Sequence, residues 1–282
     1  MAKAENKQYM TDLEALFDKH VQGESDDVRT GVLVYRTRTI KSGDMLECIT
    51  YPVFVNKNAV RAAREKVTGA AQQEINRKNA VRKVERLAQA NFGKDALIVT
   101  CTYASAPTEE ESGHQLDLYL QRLRRHAKKN GQELKYIAIT EVSAQGRIHH
   151  HMLLEGIDRE VAESKWRGGF CNVRKYQRNA NQFVGIVRYM LKWRSTQDAV
   201  AVCKRIRCSL GLVRPVETVS DHKISIGRME RIAEEAEVQG AMVLQKMYHG
   251  YVTLERPEIR RSEYLPGAYM YARMWKDGSL LS

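Results

Sequence analysis

Hydrophobic and polar positions along this chain follow two periods, and the switches between them mark out its elements. Residues 9–20 place Met10, Leu13, Leu16 and Phe17 at helical spacing, and the polar run 23–27 after them reads as a linker. Residues 31–40 and 45–55 carry the strand pattern, and Lys41-Ser42-Gly43-Asp44 between them has the chemistry of a hairpin turn. A helical pattern then covers 57–91, interrupted only at Gly69, with Val60, Val67, Ile75, Val81, Val84 and Leu87 as its apolar stripe. Residues 96–103 are apolar and β-branched, as in a buried central strand, with Thr100 and Thr102 on one side. In 112–130, Leu116, Leu120, Leu123 and Ala127 recur at i, i+4, i+7 and i+11, and Gly131 stops the helix they define.

The strand period returns on both sides of a short polar loop, so 134–142 and 147–154 predict a second hairpin. Beyond it, 158–166 reads as a short helix ended by Gly168-Gly169, and 170–173 as a strand. Residues 181–194 form a helix whose buried side is Phe183, Val184, Ile186, Val187, Met190 and Leu191. Tyr189 and Lys192, three apart and hence neighbours, lie with Gln182 and Gly185 on a face outside that stripe. Residues 229–246 are expected to be helical, and Tyr264, Tyr269, Tyr271 and Trp275 make an aromatic tail that packs on the core or stacks on bases. A strand, a crossover helix and a hairpin in succession predict an α+β sandwich with one sheet face covered by helices.

With 282 residues and 43% hydrophobic side chains, the chain can build one large domain or two modest ones, and wholesale disorder is excluded. No run of about 18 apolar residues occurs, which argues against a transmembrane helix. The N-terminal Met-Ala-Lys-Ala-Glu-Asn-Lys has no apolar signal core, so the expectation is an intracellular protein. Cys48, Cys101, Cys171, Cys203 and Cys208 are odd in number and form no Cys-x-x-Cys pair, the usage of reduced, structural thiols. The net charge of +12, from 46 Lys+Arg against 34 Asp+Glu, favours a polyanionic partner, nucleic acid before membrane. Nine of those basic residues fall in 57–91 against three Glu, as a solvated face or a DNA-backbone contact. The chain has no internal repeat and no Gly-x-x-x-x-Gly-Lys-Ser/Thr loop, so P-loop ATPase chemistry is not supported.

The candidate chemistry lies in the second hairpin. Side chains alternate across a strand, so His149 and His151 share one face, and Ile148, His150, Met152 and Leu154 take the other. If the loop closes through residues 143–147, positions summing to 290 oppose each other and Glu141 faces His149. One carboxylate and two imidazoles then converge on a single divalent ion and leave coordination positions open for substrate. A register slip of one residue turns Glu141 away, leaving a surface strand that happens to carry three histidines. Tyr189 is the candidate nucleophile: the metal polarises a phosphodiester, the phenol attacks phosphorus, and Lys192 favours the phenolate or binds the phosphate. A bound phosphotyrosine keeps the ester bond energy, so rejoining needs no ATP. Without the histidines, the same tyrosine reads as a core or interfacial residue.

These residues resemble a known group. Glu141 followed by His149-His150-His151, then Tyr189-Met190-Leu191-Lys192, is similar to the His-hydrophobic-His endonuclease superfamily, and most of all to the rolling-circle replication initiators of phages and plasmids. Leu97-Ile98-Val99-Thr100-Cys101-Thr102-Tyr103 resembles their first motif, 146–154 the second and 189–192 the third. The resemblance implies Glu141, His149 and His151 as ligands of one Mg²⁺ or Mn²⁺, Tyr189 as nucleophile and Lys192 as its helper. It implies an α+β fold with a central antiparallel sheet of about five strands flanked by helices, occupying 91–212 between an N-terminal region 1–90 and an α-rich extension 213–282. Implied partners are single-stranded DNA, origin hairpin or duplex DNA, and a host helicase and polymerase, in a bacterial cytoplasm. Thr100, Thr102, Arg147, His150 and Arg188 are the candidate DNA contacts. The second motif departs from the pattern by having His150 at its centre, and the third holds one tyrosine, with Gly185 and Trp193 at the flanking positions. That argues for a single-tyrosine enzyme. A mobilisation relaxase, a single-tyrosine transposase and a non-catalytic DNA-binding protein on the same scaffold are the alternatives.

Overall fold

A computed structural model of the chain describes residues 32–55, 69–143, 145–177, 182–191, 206–235, 239–261 and 267–278. The helix expected at 9–20, Lys192, Cys203 and Tyr264 lie outside them. The chain divides into two compact units, one from residues 1–75 and 215–282 and one from 76–214. No helix among the described residues is long and apolar enough to cross a membrane.

The 76–214 unit is built on a five-stranded antiparallel sheet, as the resemblance implies. Its strands are β3 (Leu97–Thr102), β4 (Lys135–Val142), β5 (Ile148–Glu155), β6 (Cys171–Lys175) and β7 (Ile206–Cys208), in spatial order β6-β3-β5-β4-β7. The hairpin partner β5 is central, and β3 and β4, both antiparallel to it, flank it. The β3-to-β4 crossover is α2 (Glu109–Lys129), whose Leu116, Tyr119, Leu120, Leu123 and Ala127 are all buried. It starts three residues before the expected position because Thr108 and Glu111 form a capping box, each side chain bonded to the other's backbone N–H. It ends in a Schellman turn: Gly131 takes φ 69°, its N–H donates to the Lys128 carbonyl, and Gln132 N–H donates to that of Ala127. Truncating Leu123 to Ala at such a site costs about 2–5 kcal/mol.

The expectation of one covered sheet face is corrected, because helices pack on both. On one face α2 and the short α3 (Arg159–Lys165) enclose Leu97, Val99, Cys101, Tyr136, Ala138, Met152, Leu154 and Val173. On the other, α1 (Gly69–Asn91) and α4 (Phe183–Met190) cover Ile98, Ile137, Ile139 and Leu153 through Val81, Val84, Ala88, Phe183, Val187 and Met190. A buried ion pair joins the two helices of the second face: Arg188 Nε donates to Glu85 Oε1 at 2.6 Å, with side-chain exposures of 16% and 6%.

The other unit holds a six-stranded antiparallel sheet. The first hairpin, β1 (Val32–Ser42) and β2 (Met45–Val55), turns through Gly43 at φ 58° as expected. The expectation that 213–282 is α-rich is corrected: it adds β8 (Val216–Ser220) beside β1, and β11 (Ala268–Lys276) beside β2, with β9 (Tyr251–Thr253) and β10 (Glu258–Arg261) on β11. The single helix expected over 229–246 is two, α5 (Ile226–Glu234) and α6 (Gln239–Met247), because the backbone leaves the helix at Glu235. Tyr269, Tyr271 and Trp275 are buried, and the Tyr271 hydroxyl donates to Glu47, so these three aromatics pack rather than stack on bases.

Candidate active site

The β4–β5 register pairs Glu141 with His149 and Thr140 with His150, as the 290 rule requires. On the other side of β5, Thr102 opposes His149 and Thr100 opposes His151. Directly opposed residues share a face, so Thr100, Thr102, Glu141, His149 and His151 all lie on the side covered by α1 and α4. Thr100, Thr102, Glu141 and His149 are only partly buried, so the covering helices leave this end of the face open.

Within that set the acid makes a diagonal reach. Glu141 Oε2 lies 2.9 Å from His151 Nε2, while the two side chains are 11% and 8% exposed. The other ring nitrogen of His151, Nδ1, is 3.3 Å from the Thr100 hydroxyl. The His149 ring stacks parallel to that of His151, with centroids 6.5 Å apart and an 8° interplanar angle. Tyr189 meets His151 from α4: its ring is 62% exposed and stands edge-on at 5.9 Å between centroids. Acid, imidazoles and phenol therefore share one face and one end of the sheet.

Two imidazoles and a carboxylate suit a divalent cation in donor type. The 2.9 Å between Nε2 and Oε2 is also about the edge of an octahedron whose ligands lie roughly 2.1 Å from its centre. Among the described residues, however, no three His, Cys, Asp or Glu side chains converge tightly enough to enclose an ion. The His149 ring, the third candidate, stacks beside that of His151.

Two of the expected DNA contacts are corrected. His150 is fully buried on the opposite face, edge-on to Tyr103 and Trp166. Its Nε2 is 2.7 Å from the Tyr103 hydroxyl and its Nδ1 is 3.0 Å from that of Thr140. The Tyr103 hydroxyl is also 3.1 Å from the Ser112 carbonyl, so both ring nitrogens of the buried His150 have a hydroxyl partner. Burial pushes its pKa down to about 4, with the charge of Arg207 adding to the effect. Arg188 is committed to Glu85, which the sequence could not show because the two lie 103 positions apart. Gln182, expected beside Tyr189, is instead buried at the start of α4 with φ 48°. Arg147 is exposed in the hairpin loop, and the Thr102 hydroxyl donates to the Phe170 carbonyl at 3.3 Å. The sequence pattern predicts strand β6 but not that its alternate residues join this face, since face assignment needs the pairing partner: Asn172 stands opposite Thr100.

Residues 96–194 match the family model of the replication-associated protein ORF2. The matched segment contains Glu141, His149, His151 and Tyr189, and the match supports a role in replication. Among solved structures, the hypothetical protein ORF119 from Sulfolobus islandicus rod-shaped virus 1 is similar at 16% identity and a TM-score of 0.29, over 41% of this chain and 94% of that one. No curated protein matches the chain.

Proposed function

We propose that this protein is a replication initiator that cuts single-stranded origin DNA by tyrosine attack and later rejoins the strand. The observation that carries this reading is the grouping at His151: its Nε2 meets Glu141 at 2.9 Å, and the exposed ring of Tyr189 abuts its edge. A phenol exposed to solvent beside an imidazole–carboxylate pair supports this reading, because packing would bury the ring.

Glu141 and His151 would hold one Mg²⁺ or Mn²⁺, joined by His149 once its ring rotates towards the carboxylate that its backbone already opposes. The ion, when bound, would supply Lewis-acid stabilisation of charge building on the phosphoryl oxygens. The Thr100 hydroxyl at Nδ1 keeps the His151 ring oriented, the usual task of a partner on the far nitrogen of a ligating imidazole. The Tyr189 oxygen forms a bond to phosphorus as the bond from phosphorus to the 3′ oxygen breaks, leaving a free 3′ hydroxyl and a 5′-phosphotyrosine. Lys192, in the same motif, is assigned to favour the phenolate as the attacking form. Attack of a 3′ hydroxyl on the phosphotyrosine reverses the step and reseals the strand.

Incubation with labelled single-stranded DNA and Mn²⁺, followed by a denaturing gel, tests this. The expected result is a covalent protein–DNA band that chelator abolishes and Tyr189→Phe eliminates while DNA binding survives. Cleavage by Tyr189→Phe would move the nucleophile elsewhere. Binding without any adduct in the wild type would favour a non-catalytic DNA-binding protein on this scaffold, a reading the unassembled His149 ring keeps in view.

A further inference from the structure

Strand β6 is the edge of the sheet that bears the site, and its two faces differ in character. Cys171 and Val173 turn to the face packed by α2 and α3. Their alternates, Asn172 and Arg174, oppose Thr100 and Ile98 and so lie on the face of His149 and His151, both exposed. One step further in the same register is Phe170, beside Thr102: the Thr102 N–H donates to the Phe170 carbonyl at 2.9 Å and the Thr102 hydroxyl at 3.3 Å. Its ring is 68% exposed. Phe170 thus continues, one position before β6 begins, the row of Thr102, His149 and Glu141, and at about 4.8 Å per strand its backbone lies roughly 10 Å from that of His149.

This aromatic ring is not on a loosely held loop. The turn before it presses against β3 where only glycine fits: a Cβ on Gly169, at φ 155°, would fall 2.5 Å from Ala104 N and 2.8 Å from Thr102 O. A Cβ on Gly168 would fall 2.6 Å from Trp166 Cζ2, and the Trp166 indole N–H donates to the Thr102 carbonyl at 3.0 Å. The result is a large apolar ring held rigidly in solvent, on the site face, followed at two-residue intervals by an amide and a guanidinium. One ring among polar groups is far too small for a protein interface, which needs on the order of 1,000 Å². It suits a nucleobase, which has an apolar face of its own size and a phosphate attached.

We propose that Phe170 is a stacking platform for a base of the single strand close to the cut phosphate, with Asn172 available to a base edge and Arg174 to the backbone. The proposal rests on the function argued above and specifies how its substrate is held. Roughly 10 Å from the row of ligating side chains is about three steps of a stacked strand at 3.4 Å each, and fewer of an extended one. Stacking is indifferent to sequence, so Phe170 supplies grip and register while choice of the cut site lies with other groups.

Fluorescence anisotropy with a short labelled single strand of mixed sequence, without added Mn²⁺ so that none is cut, measures the grip. Phe170→Ala is expected to weaken binding about 5- to 150-fold, the range for losing one stacked base. Phe170→Trp is expected to restore it, whereas Phe170→Leu, apolar but without a π face, stays weak. A 2-aminopurine in the strand should be quenched by wild type and less so by Phe170→Ala. Thermal melts of all three variants should match wild type, because the ring is exposed. Equal affinity of Phe170→Ala and wild type, with wild type still forming the covalent adduct, overturns this inference and leaves the function intact. Loss of binding in Phe170→Ala with no adduct from wild type upholds the platform and refutes the nucleophile. A wild type that neither binds the strand nor forms an adduct refutes both.

Discussion

His150 fixes how this protein responds to acid. Its folded pKa is depressed to about 4 by burial, against about 6.5 in an unfolded chain, so between those values the unfolded state binds the extra proton. Its stabilising effect is therefore complete above pH 6.5 and is lost as pH falls towards 4, by about 3 kcal/mol at most. Urea unfolding across that window should show stability dropping with pH, and His150→Gln, which keeps polar partners without titrating, should flatten the slope. Thr100 tests the opposite face. Removing its hydroxyl in Thr100→Val should weaken Mn²⁺ activation of cleavage by about 10- to 100-fold, the usual effect of losing a partner behind a metal-ligating imidazole. A Mn²⁺ titration of adduct formation reads this directly.

Between elements, the join of α4 to α1 decides whether Tyr189 stays where it is. Glu85 and Arg188 are both largely buried, and removing one takes away the oppositely charged group 2.6 Å from the other. Glu85→Ala should destabilise the fold by about 3–5 kcal/mol, read by chemical denaturation, with a loss of cleavage even at temperatures where the sheet persists. Replacing both residues by well-packed apolar side chains should recover stability. At the hairpin, element-level reasoning was sufficient. The alternation and the loop length gave the pairing of Glu141 with His149, and a one-residue slip would exchange the β4 residues that face α1 and α4 for those that face α2 and α3. The same reasoning placed His149 and His151 together and His150 on the other face, but periodicity gives a face and not what covers it, so the burial that removes His150 from the DNA contacts was not legible.

Across the whole molecule, each unit has its own apolar cores: those around α1 to α4 lie in 76–214, and those around Tyr35, Leu46, Met229 and Met274 in the other. A fragment of residues 69–214 is therefore expected to melt cooperatively and to form the tyrosine adduct, as circular dichroism and a denaturing gel would show. A fragment of residues 1–75 is not expected to fold, because β2 is hydrogen-bonded to β1 on one side and to β11, more than 200 positions later, on the other.

Local sequence determined the hairpins, the amphipathic helices and the pairing of Glu141 with His149, because each depends on periods and turns spanning a few residues. It did not determine the strands at the sheet edges. Val216–Ser220 is largely exposed and Ile206–Cys208 is three residues long, so neither carries an apolar period, and each exists through a partner distant in the chain. The tertiary structure alone decided that Glu141 reaches diagonally to His151, that His150 is a core histidine, that Arg188 serves Glu85, and that Phe170 stands on the site face. Each of these follows from which surface lies opposite, and that is a property of the packed chain rather than of any segment.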